Sequence, residues 1–254
     1  MNSLLDLSGK TAVVTGGSRG VGRATALLLA QAGASVGIGY RSREDQAAET
    51  VREVKAFGVH SWAESGDLGD PEDAARLFER ADREFDGLDF FVGNAGIWPP
   101  EDIPISEMTD PRWRRTMQAN LDSVFFTTRE AAKRVRDDGR IVLVSSTAGQ
   151  RGEAFHVDYA ASKGAIISMV KGLCVELGPR GVTVNCVAPG WIDTEMAQSA
   201  MGEGGKEAIA GTIPIGRVPP AEDIAGPIVF LCSYLARHIT GEILNVNGGA
   251  VLVG

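Results

Sequence analysis

The sequence predicts an α/β fold with a doubly wound parallel sheet, in which helices cover both faces. Short runs of β-branched and apolar residues alternate along the chain with longer segments of helical period. Near-continuous apolar strands of this kind are typical of parallel sheets that are buried on both faces. A glycine-rich turn also follows the first predicted strand, as in folds that bind a dinucleotide beyond their strand ends. Together these observations favour one fold class, with right-handed crossovers between strands.

The individual elements follow from the period and length of each apolar segment. The predicted strands are residues 11–15, 35–40, 88–93, 140–144, 183–188 and 243–246. The predicted helices are residues 21–32, 44–57, 71–85, 112–136, 159–177 and 221–235. Pro71 stands where a first-turn proline is tolerated, and Gly33 stands where a helix ends. The sequence has no linker rich in Pro, Gly or Ser, so residues 1–254 are predicted to form a single domain.

One stretch lacks a clear period, and it is predicted to be a loop. It covers residues 191–218 and contains Gly202, Gly204 and Gly205. Long connections without secondary structure in a compact domain are usually functional. We therefore expect this segment to be a mobile substrate loop.

Composition and charge narrow the class of protein. The chain has 254 residues and a net charge of −8, which opposes binding to nucleic acid or to an anionic membrane. The apolar stretch at 224–236 is shorter than the roughly 20 residues that span a bilayer and contains Pro227. The first residues lack the apolar core of a signal peptide. The three cysteines and three histidines show no disulfide or metal-ligand spacing. The expectation is a cytoplasmic protein with a small soluble partner and no metal.

The glycine turn predicts a phosphate-binding helix start. In TGGSRGVG, Gly16, Gly20 and Gly22 lie between the first strand and an amphipathic helix. Glycine permits positive φ and close approach of a ligand to the backbone, and backbone amides at a helix start bind pyrophosphate. A plain βα turn remains an alternative, because the spacing is not the common G-x-G-x-x-G.

The residues after the second strand bear on the choice of cofactor. A site for the unphosphorylated ribose usually has an acidic residue there, whereas a 2′-phosphate requires Arg or a similar donor. Here Tyr40, Arg41 and Ser42 occupy the place, and Arg19 lies in the glycine turn. Two guanidinium groups can flank a phosphate, so NADP(H) is predicted as the preferred cofactor, with NAD(H) possible. The alternative is that Arg41 and Arg43 only begin a solvated helix face.

Seven short motifs carry a family resemblance. In order along the chain they are TGGSRGVG, GDLGD, GNAG, MQAN, VSS, YAASK and NCVAPG, and TGEILNVNGG follows near the end. Together they resemble the short-chain dehydrogenase/reductase family, and the pattern is similar to 3-oxoacyl-(acyl carrier protein) reductases and to bacterial glucose dehydrogenases. The resemblance implies a Rossmann fold and an NAD(P)-dependent enzyme that acts on carbonyl or alcohol groups.

The resemblance also implies the roles of individual residues. The implied catalytic residues are Asn120, Ser146, Tyr159 and Lys163. The implied cofactor-binding residues are Gly16, Ser18, Arg19, Gly20, Val21, Gly22, Tyr40, Arg41, Ser42, Asp67, Leu68, Asn94, Ala95, Gly96, Tyr159, Lys163, Pro189, Gly190, Ile192 and Thr194. Ser145 is expected to face away from Ser146, because successive strand residues alternate sides.

The spacing of Tyr159 and Lys163 suits proton transfer. Residues four apart share a helix face, and a reduced carbonyl carbon leaves charge on oxygen that needs a proton. A cation at about 4 Å lowers a phenol pKa near 10 by up to about 3 in an effective dielectric of about 20. Lys163 is therefore expected to lower the pKa of Tyr159. Ser146 is expected to hydrogen-bond the substrate oxygen, and Asn120 to hold a water that links Lys163 to solvent.

Three segments are expected to line the substrate pocket, and they follow Gly96, Ser146 and Gly190. Ser146 and the apolar walls Trp98, Phe155 and Trp191 are the candidate substrate contacts, and His156 is expected to be solvated rather than functional. These residues do not identify a particular substrate. Docking of an acidic carrier protein needs basic residues, and Arg180 fits one such place, but Asp137 stands at the other.

Alternative functions and the assembly complete the predictions. A sugar or polyol dehydrogenase is the second enzyme hypothesis. A nucleotide-sensing protein that keeps the fold without the chemistry is the rival from another class. The resemblance implies a homotetramer that pairs through helices 112–136 and 159–177 and through the last strand.

Overall fold

The computed structural model describes residues 5–198, 201 and 204–253, and it contains a seven-stranded parallel sheet in the order β3-β2-β1-β4-β5-β6-β7. The strands are β1 (Thr11–Thr15), β2 (Ser35–Tyr40), β3 (Ser61–Ser65), β4 (Leu88–Gly93), β5 (Val135–Val144), β6 (Thr183–Pro189) and β7 (Ile243–Val246). The helices are α1 (Gly20–Gln31), α2 (Glu44–Ala56), α3 (Pro71–Glu84), α4 (Asp110–Met117), α5 (Ser123–Arg134), α6 (Thr147–Arg151), α7 (Val157–Leu177), α8 (Glu195–Gln198), α9 (Gly205–Ala210) and α10 (Ala221–Cys232). Each strand pair is parallel, which confirms the predicted fold class.

Apolar layers pack against both faces of this sheet. Successive residues of β1 point to opposite layers: Ala12 and Val14 belong to the core beneath α1, α2 and α10, and Val13 to the core beneath α3, α5 and α7. This alternation follows from the two-residue period of a strand. It explains why the strands read as continuous apolar runs.

The edge strand β3 was not among the predicted strands. Only Trp62 and Ala63 are apolar in its sequence, SWAES, and the second half of the strand is partly or fully exposed. A short strand at a sheet edge has one unpaired side. Its composition therefore lacks the apolar run by which the other strands were recognised.

Residues 112–136 were predicted to form one continuous helix, and this prediction is wrong. The chain forms α4, then a π-helical turn at Gln118–Asp122, then α5, and β5 already begins at Val135. A π turn inserts one residue into the helical ladder and often marks a functional position. Here it contains the buried Asn120.

The order of the strands reverses between β1 and β4. β1 pairs with β2 on one side and with β4 on the other, so the crossovers lead away in opposite directions from this point. In open α/β sheets, ligands bind beyond the strand ends at such a switch point. Asn94, directly after β4, ties the two ends together, because its side-chain amide donates to the Thr15 carbonyl at 2.9 Å.

The segment predicted as a loop is partly helical. It contains α8 and α9, and a bridge joins Asp193 to Pro220. Gly202 and its neighbours 199–200 and 203 lie outside the described residues. Among the helices of the described part, none is long and apolar enough to cross a membrane.

Candidate active site

A cleft of about 890 Å³ opens at the carboxyl ends of the strands, across the switch point. Its volume is typical of sites for a cofactor or small ligand. The predicted residues that line it are Gly16, Ser18, Arg19, Gly20, Val21, Tyr40, Arg41, Ser42, Asp67, Leu68, Asn94, Ala95, Gly96, Ser146, Tyr159, Lys163, Pro189, Gly190, Ile192 and Thr194. The structure therefore brings the two ends of the predicted site into one cavity.

The glycine turn is shaped by close backbone packing. Gly16 has a φ of +68°, and a Cβ added to Gly22 would lie 2.2 Å from the Gly16 carbonyl oxygen. Gly22 is buried and does not line the cleft, so it serves the packing of α1. Gly20 has a φ of +53°, and an added Cβ would meet only Thr194, at 3.6 Å. The turn thus leaves the start of α1 open to the cleft, as a phosphate site requires.

The arginines at the outer end of the cleft are already paired. Arg19 donates to the Glu195 carboxylate at 2.6 Å, and Arg41 lies 2.8 Å from the Asp67 carboxylate. The sequence predicts that these two guanidinium groups can flank a phosphate. In the structure each of them has a carboxylate partner from a distant segment, so a bound phosphate would compete with that carboxylate.

Tyr159 and Lys163 lie at the inner end of the cleft, one turn apart on α7, where Lys163 is buried and Tyr159 is partly buried. The Lys163 ammonium donates to the Val144 carbonyl at 2.9 Å and lies 5.8 Å from the centre of the Tyr159 ring. Burial raises the pKa of Tyr159 to about 12, against a hydrogen bond with Ser146 that lowers it. Burial lowers the pKa of Lys163 to about 8. The pKa of the phenol is therefore raised rather than lowered in this structure, because removal from water outweighs the effect of Ser146.

The two serines after β5 point to different partners. Ser146 caps α6, and its hydroxyl oxygen accepts from the Ala148 amide at 3.1 Å. Its hydroxyl proton is therefore available for another acceptor. The Ser145 hydroxyl instead donates to the Lys163 carbonyl at 2.7 Å, which fixes the backbone of α7.

Asn120 is buried beneath the cleft rather than at its surface. Its side chain accepts from the Ile97 amide at 2.7 Å and donates to the Ile97 carbonyl at 3.0 Å and to Ser162 at 3.3 Å. Both amide protons are used, and the oxygen keeps one acceptor position for the expected water. A Cβ added to Gly96 would lie 3.1 Å from this oxygen and 3.4 Å from the Lys163 ammonium. A side chain at this position would therefore press against both groups.

An aromatic stack lies against the proposed acid. The Trp98 ring meets the Tyr159 ring edge-on at 4.6 Å and stacks on His156 at 4.2 Å. His156 is buried, and its Nε2 lies 2.9 Å from the Pro99 carbonyl oxygen, so the expectation of a solvated histidine is wrong. Phe155 is exposed with a φ of +64°, and Trp191 is partly buried. None of the three predicted walls is among the residues that line the cleft, although Trp98 contacts Tyr159, which does line it.

A buried ion pair behind Tyr159 escaped the sequence reasoning. The fully buried Asp158 accepts from the Arg112 guanidinium at 2.8 Å and from the Thr116 hydroxyl at 2.7 Å. Arg112 also donates to the Glu101 carbonyl at 3.2 Å, which lies in the segment that carries Trp98. These partners are 42 to 46 positions from Asp158, so no local pattern indicates them.

Other lining residues were missed as well. They are Gly39, Arg43, Gly66, Gly69, Ile97, Arg115, Ala119, Ser123, Val144, Ser145, Asp193, Glu195 and Met196. Most of them neighbour a predicted residue along the chain, so a wider window around each motif would have found them. Across residues 5–198, 201 and 204–253, no group of three or more His, Cys, Asp or Glu side chains could hold a metal ion.

The sheet and the glycine turn at its switch point define a Rossmann-fold nucleotide-binding protein. Residues 16–251 match the family described as "Enoyl-(Acyl carrier protein) reductase". A 3-oxoacyl-[acyl-carrier-protein] reductase from Staphylococcus aureus is 36% identical over 94% of this chain and 97% of the relative. The chain belongs to the short-chain dehydrogenase/reductase family, whose members use NAD(P), and it is an oxidoreductase.

Solved structures agree with this assignment. A dehydrogenase/reductase from Sinorhizobium meliloti superposes with a TM-score of 0.91 at 35% identity, over 98% of this chain and 97% of the other. A short-chain dehydrogenase from Burkholderia cenocepacia, solved in complex with NADP, gives a TM-score of 0.89 at 36% identity, over 96% and 98% of the two chains. The family resemblance seen in the sequence is confirmed.

Proposed function

We propose that this protein is an NADP(H)-dependent oxidoreductase that transfers a hydride between the nicotinamide and a carbonyl or secondary alcohol, with Tyr159 as general acid and base. One observation carries the proposal. The Tyr159 phenol lies one helical turn from the buried Lys163 and lines, together with Ser146, the inner end of a cleft that begins at a glycine turn. This arrangement supplies both a proton and a hydrogen-bond donor to one oxygen atom.

The residues present fit a dinucleotide. The close packing at Gly16 and Gly22 leaves the start of α1 open, and the side-chain-free Gly96 leaves space beside Lys163. Gly20, Val21 and Asn94 would hold the phosphates and the neighbouring ribose, and Pro189, Ile192 and Thr194 the nicotinamide end. Bound there, the cofactor supplies or accepts the hydride. The related Burkholderia enzyme, solved with NADP, supports the choice of cofactor.

The protein's own groups favour carbonyl reduction. A Tyr159 pKa of about 12 keeps the phenol protonated at neutral pH, which is the form that gives a proton to a ketone oxygen. Ser146 has its proton free to donate to the same oxygen, because its own oxygen is the acceptor of the α6 cap. Lys163, with a pKa of about 8, is mostly charged at pH 7 and keeps two N–H groups for a ribose.

The substrate class is a small carbonyl compound with an apolar part. The Trp98 ring packs edge-on against Tyr159 and so adds an apolar group next to the inner end of the cleft. Docking of an acyl carrier protein has less support, because Arg180, the residue expected to take part, is paired with Asp137 at 2.9 Å.

Assembly as a homotetramer is part of the proposal. The helices expected to pair carry exposed aromatic side chains, Trp113 on α4 and Phe125 on α5, and Leu252 is exposed after the last strand. Apolar groups in such positions favour contact with another copy. Light scattering that gives the mass of a monomer would refute this assembly.

The test is a direct assay of binding and turnover. NADPH and NADH are titrated by calorimetry, and a panel of ketones, aldehydes and keto esters is then screened by the loss of NADPH absorbance. The proposal predicts NADPH binding and turnover of at least one apolar ketone or aldehyde. Binding of NADPH without turnover of any carbonyl compound, and without oxidation of any sugar or alcohol by NADP⁺, would instead support a nucleotide sensor.

A further inference from the structure

The outer end of the cleft contains an anion at a place where a cofactor phosphate is expected. Glu195, the first residue of α8, reaches across the cleft to Arg19 in the glycine turn, at 2.6 Å. Arg43 and Gln46, at the start of α2, also face this carboxylate and, after Arg19, hold its pKa below the ordinary value. The carboxylate thus lies between the glycine turn and the segment that follows β2.

This position matters because the adenosine ribose of a dinucleotide binds at the segment after β2. Enzymes that prefer the unphosphorylated ribose usually place an acidic residue there to accept a hydrogen bond from the 2′-hydroxyl. In this chain Tyr40, Arg41 and Ser42 occupy that segment, and none of them is acidic. The acidic group comes instead from α8, far along the chain.

The local charges make the site suitable for either form of the ribose. Arg19, Arg41 and Arg43 provide three positive charges, and the carboxylates of Asp67 and Glu195 provide two negative ones. A phosphate group carries about −1.5 to −2 at pH 7 and binds guanidinium more strongly than a single carboxylate does. A 2′-phosphate would therefore compete with Glu195 for Arg19, whereas a 2′-hydroxyl would donate to Glu195 and leave the ion pair intact.

We propose that Glu195 is a specificity-determining residue that narrows the preference of this protein for NADP(H) over NAD(H). It does so by accepting the 2′-hydroxyl of NAD(H) and by competing with the 2′-phosphate of NADP(H) for Arg19. The inference rests on the proposed function, since it requires that the cleft bind a nicotinamide dinucleotide with its adenosine at this end. It adds that the acidic residue missing after β2 is supplied by another segment.

The test compares Glu195→Gln with a matched control. Glu207→Gln makes the same change of charge on exposed α9, in the same stretch of chain. Both variants and the wild type are titrated calorimetrically with NADPH and with NADH at fixed ionic strength. An exposed ion pair contributes little, so Glu195→Gln is expected to tighten NADPH by about two- to fivefold. Loss of a hydrogen bond to a charged acceptor is expected to weaken NADH by about threefold or more.

The result is therefore the ratio of the dissociation constants for NADH and NADPH, compared between each variant and the wild type. An increase in NADPH preference of about sixfold or more in Glu195→Gln, with less than about twofold change in Glu207→Gln, supports the proposal. A change of less than twofold in Glu195→Gln, or an equal change in the control, overturns it. If the wild type binds neither dinucleotide, the proposed function itself fails, and the two failures are thus distinct.

A double-mutant cycle isolates the competition for Arg19. In the Arg19→Ala background, Glu195 has no guanidinium in the glycine turn to hold, so Glu195→Gln should no longer tighten NADPH. An unchanged gain in NADPH affinity in that background would show that Glu195 repels the phosphate through space instead, and it would overturn the competition.

Discussion

The two ends of the cleft are built from opposite kinds of polar interaction. At the inner end, Lys163 and Asn120 are buried and donate to the backbone carbonyls of Val144 and Ile97, and the partly buried Tyr159 lies beside them. At the outer end, the side chains of Arg19 and Glu195 form an ion pair while 42% and 53% exposed. One end is held in place by packing, and the other by charges that remain in contact with water.

This difference determines what each end can do. A buried polar group that loses its partner pays the full penalty of desolvation, so the inner end tolerates little change. Exposed ion pairs are screened by solvent and contribute about 0 to 1 kcal/mol, so the outer end can exchange partners. We therefore expect large effects on catalysis and stability from the inner end, and moderate effects on cofactor choice from the outer end.

The largest expected effect is on turnover, from Tyr159→Phe. This change removes one oxygen atom and leaves the ring against Trp98, so cofactor affinity should remain within about twofold. Loss of general acid catalysis typically costs about 10²- to 10⁴-fold, and we expect a fall in kcat of about 10³-fold or more. Steady-state rates with a fixed ketone measure it. Activity within about tenfold of the wild type would remove Tyr159 from its proposed role.

The next effect is on stability, from Arg112→Met. The variant leaves the carboxylate of Asp158 buried without its guanidinium partner. Breaking a buried ion pair from one side destabilises a protein by about 3 to 5 kcal/mol. Urea denaturation measures the free energy of unfolding. The control is Arg114→Met on the same helix, where the pair with Asp110 is exposed and 3.6 Å long, and where we expect a change of about 0.5 kcal/mol or less. Equal effects of the two variants would contradict the contrast between buried and exposed pairs.

The lowered pKa of Lys163, at the inner end, predicts that the stability of the protein depends on pH. Burial lowers the pKa of Lys163 from 10.5 to about 8. Between these values the unfolded chain binds more protons than the folded protein at this residue, so the lysine's contribution to stability rises with pH. Below pH 8 its destabilising effect is present in full.

Lys163→Met isolates this contribution, because the other titrating groups are common to both proteins. The free energy of unfolding of the wild type relative to the variant should rise by about 2 kcal/mol between pH 8 and pH 10. Denaturant titrations at several pH values measure the difference. A difference that is constant with pH, or that falls, would show that the pKa of Lys163 is not lowered in the folded protein.

The smallest expected effect lies at the outer end. Arg41→Ala removes one exposed guanidinium from the proposed 2′-phosphate site and leaves the Asp67 carboxylate without its guanidinium partner. We expect NADPH affinity to fall by about tenfold, which corresponds to a charge-assisted contact of about 1.4 kcal/mol, and NADH affinity to change little. Separate titrations with NADPH and NADH measure the margin. Equal losses of affinity for both cofactors would show that Arg41 supports the site without contacting the 2′-phosphate.

The sequence predicted the elements that have strong local signals. Six strands and the glycine turn were recognised because apolar runs and glycine spacing report on neighbouring residues. The edge strand β3 was missed because its half-exposed sequence lacks such a run. The π turn at Asn120 was missed because it is stabilised by contacts with Ile97 and Ser162, distant in the chain.

The same difference between local signals and distant contacts applies to the candidate site. Helical spacing placed Tyr159 and Lys163 together, but the pKa of the phenol depends on burial, which no spacing reveals. The pairing of Arg19 with Glu195 joins residues 176 positions apart. Local patterns thus identified which groups meet in the cleft, and the tertiary structure determined their protonation and their partners.

The most direct test of the central claim follows the hydrogen that is transferred. NADPH deuterated at C4, prepared separately in each of the two stereochemical forms, is incubated with the protein and a ketone that it reduces. Mass spectrometry then determines the isotope content of the product alcohol. The account predicts that one of the two labelled forms adds a single deuterium to the carbinol carbon and that Tyr159→Phe nearly abolishes the product. Product without deuterium from either form would contradict hydride transfer from the nicotinamide.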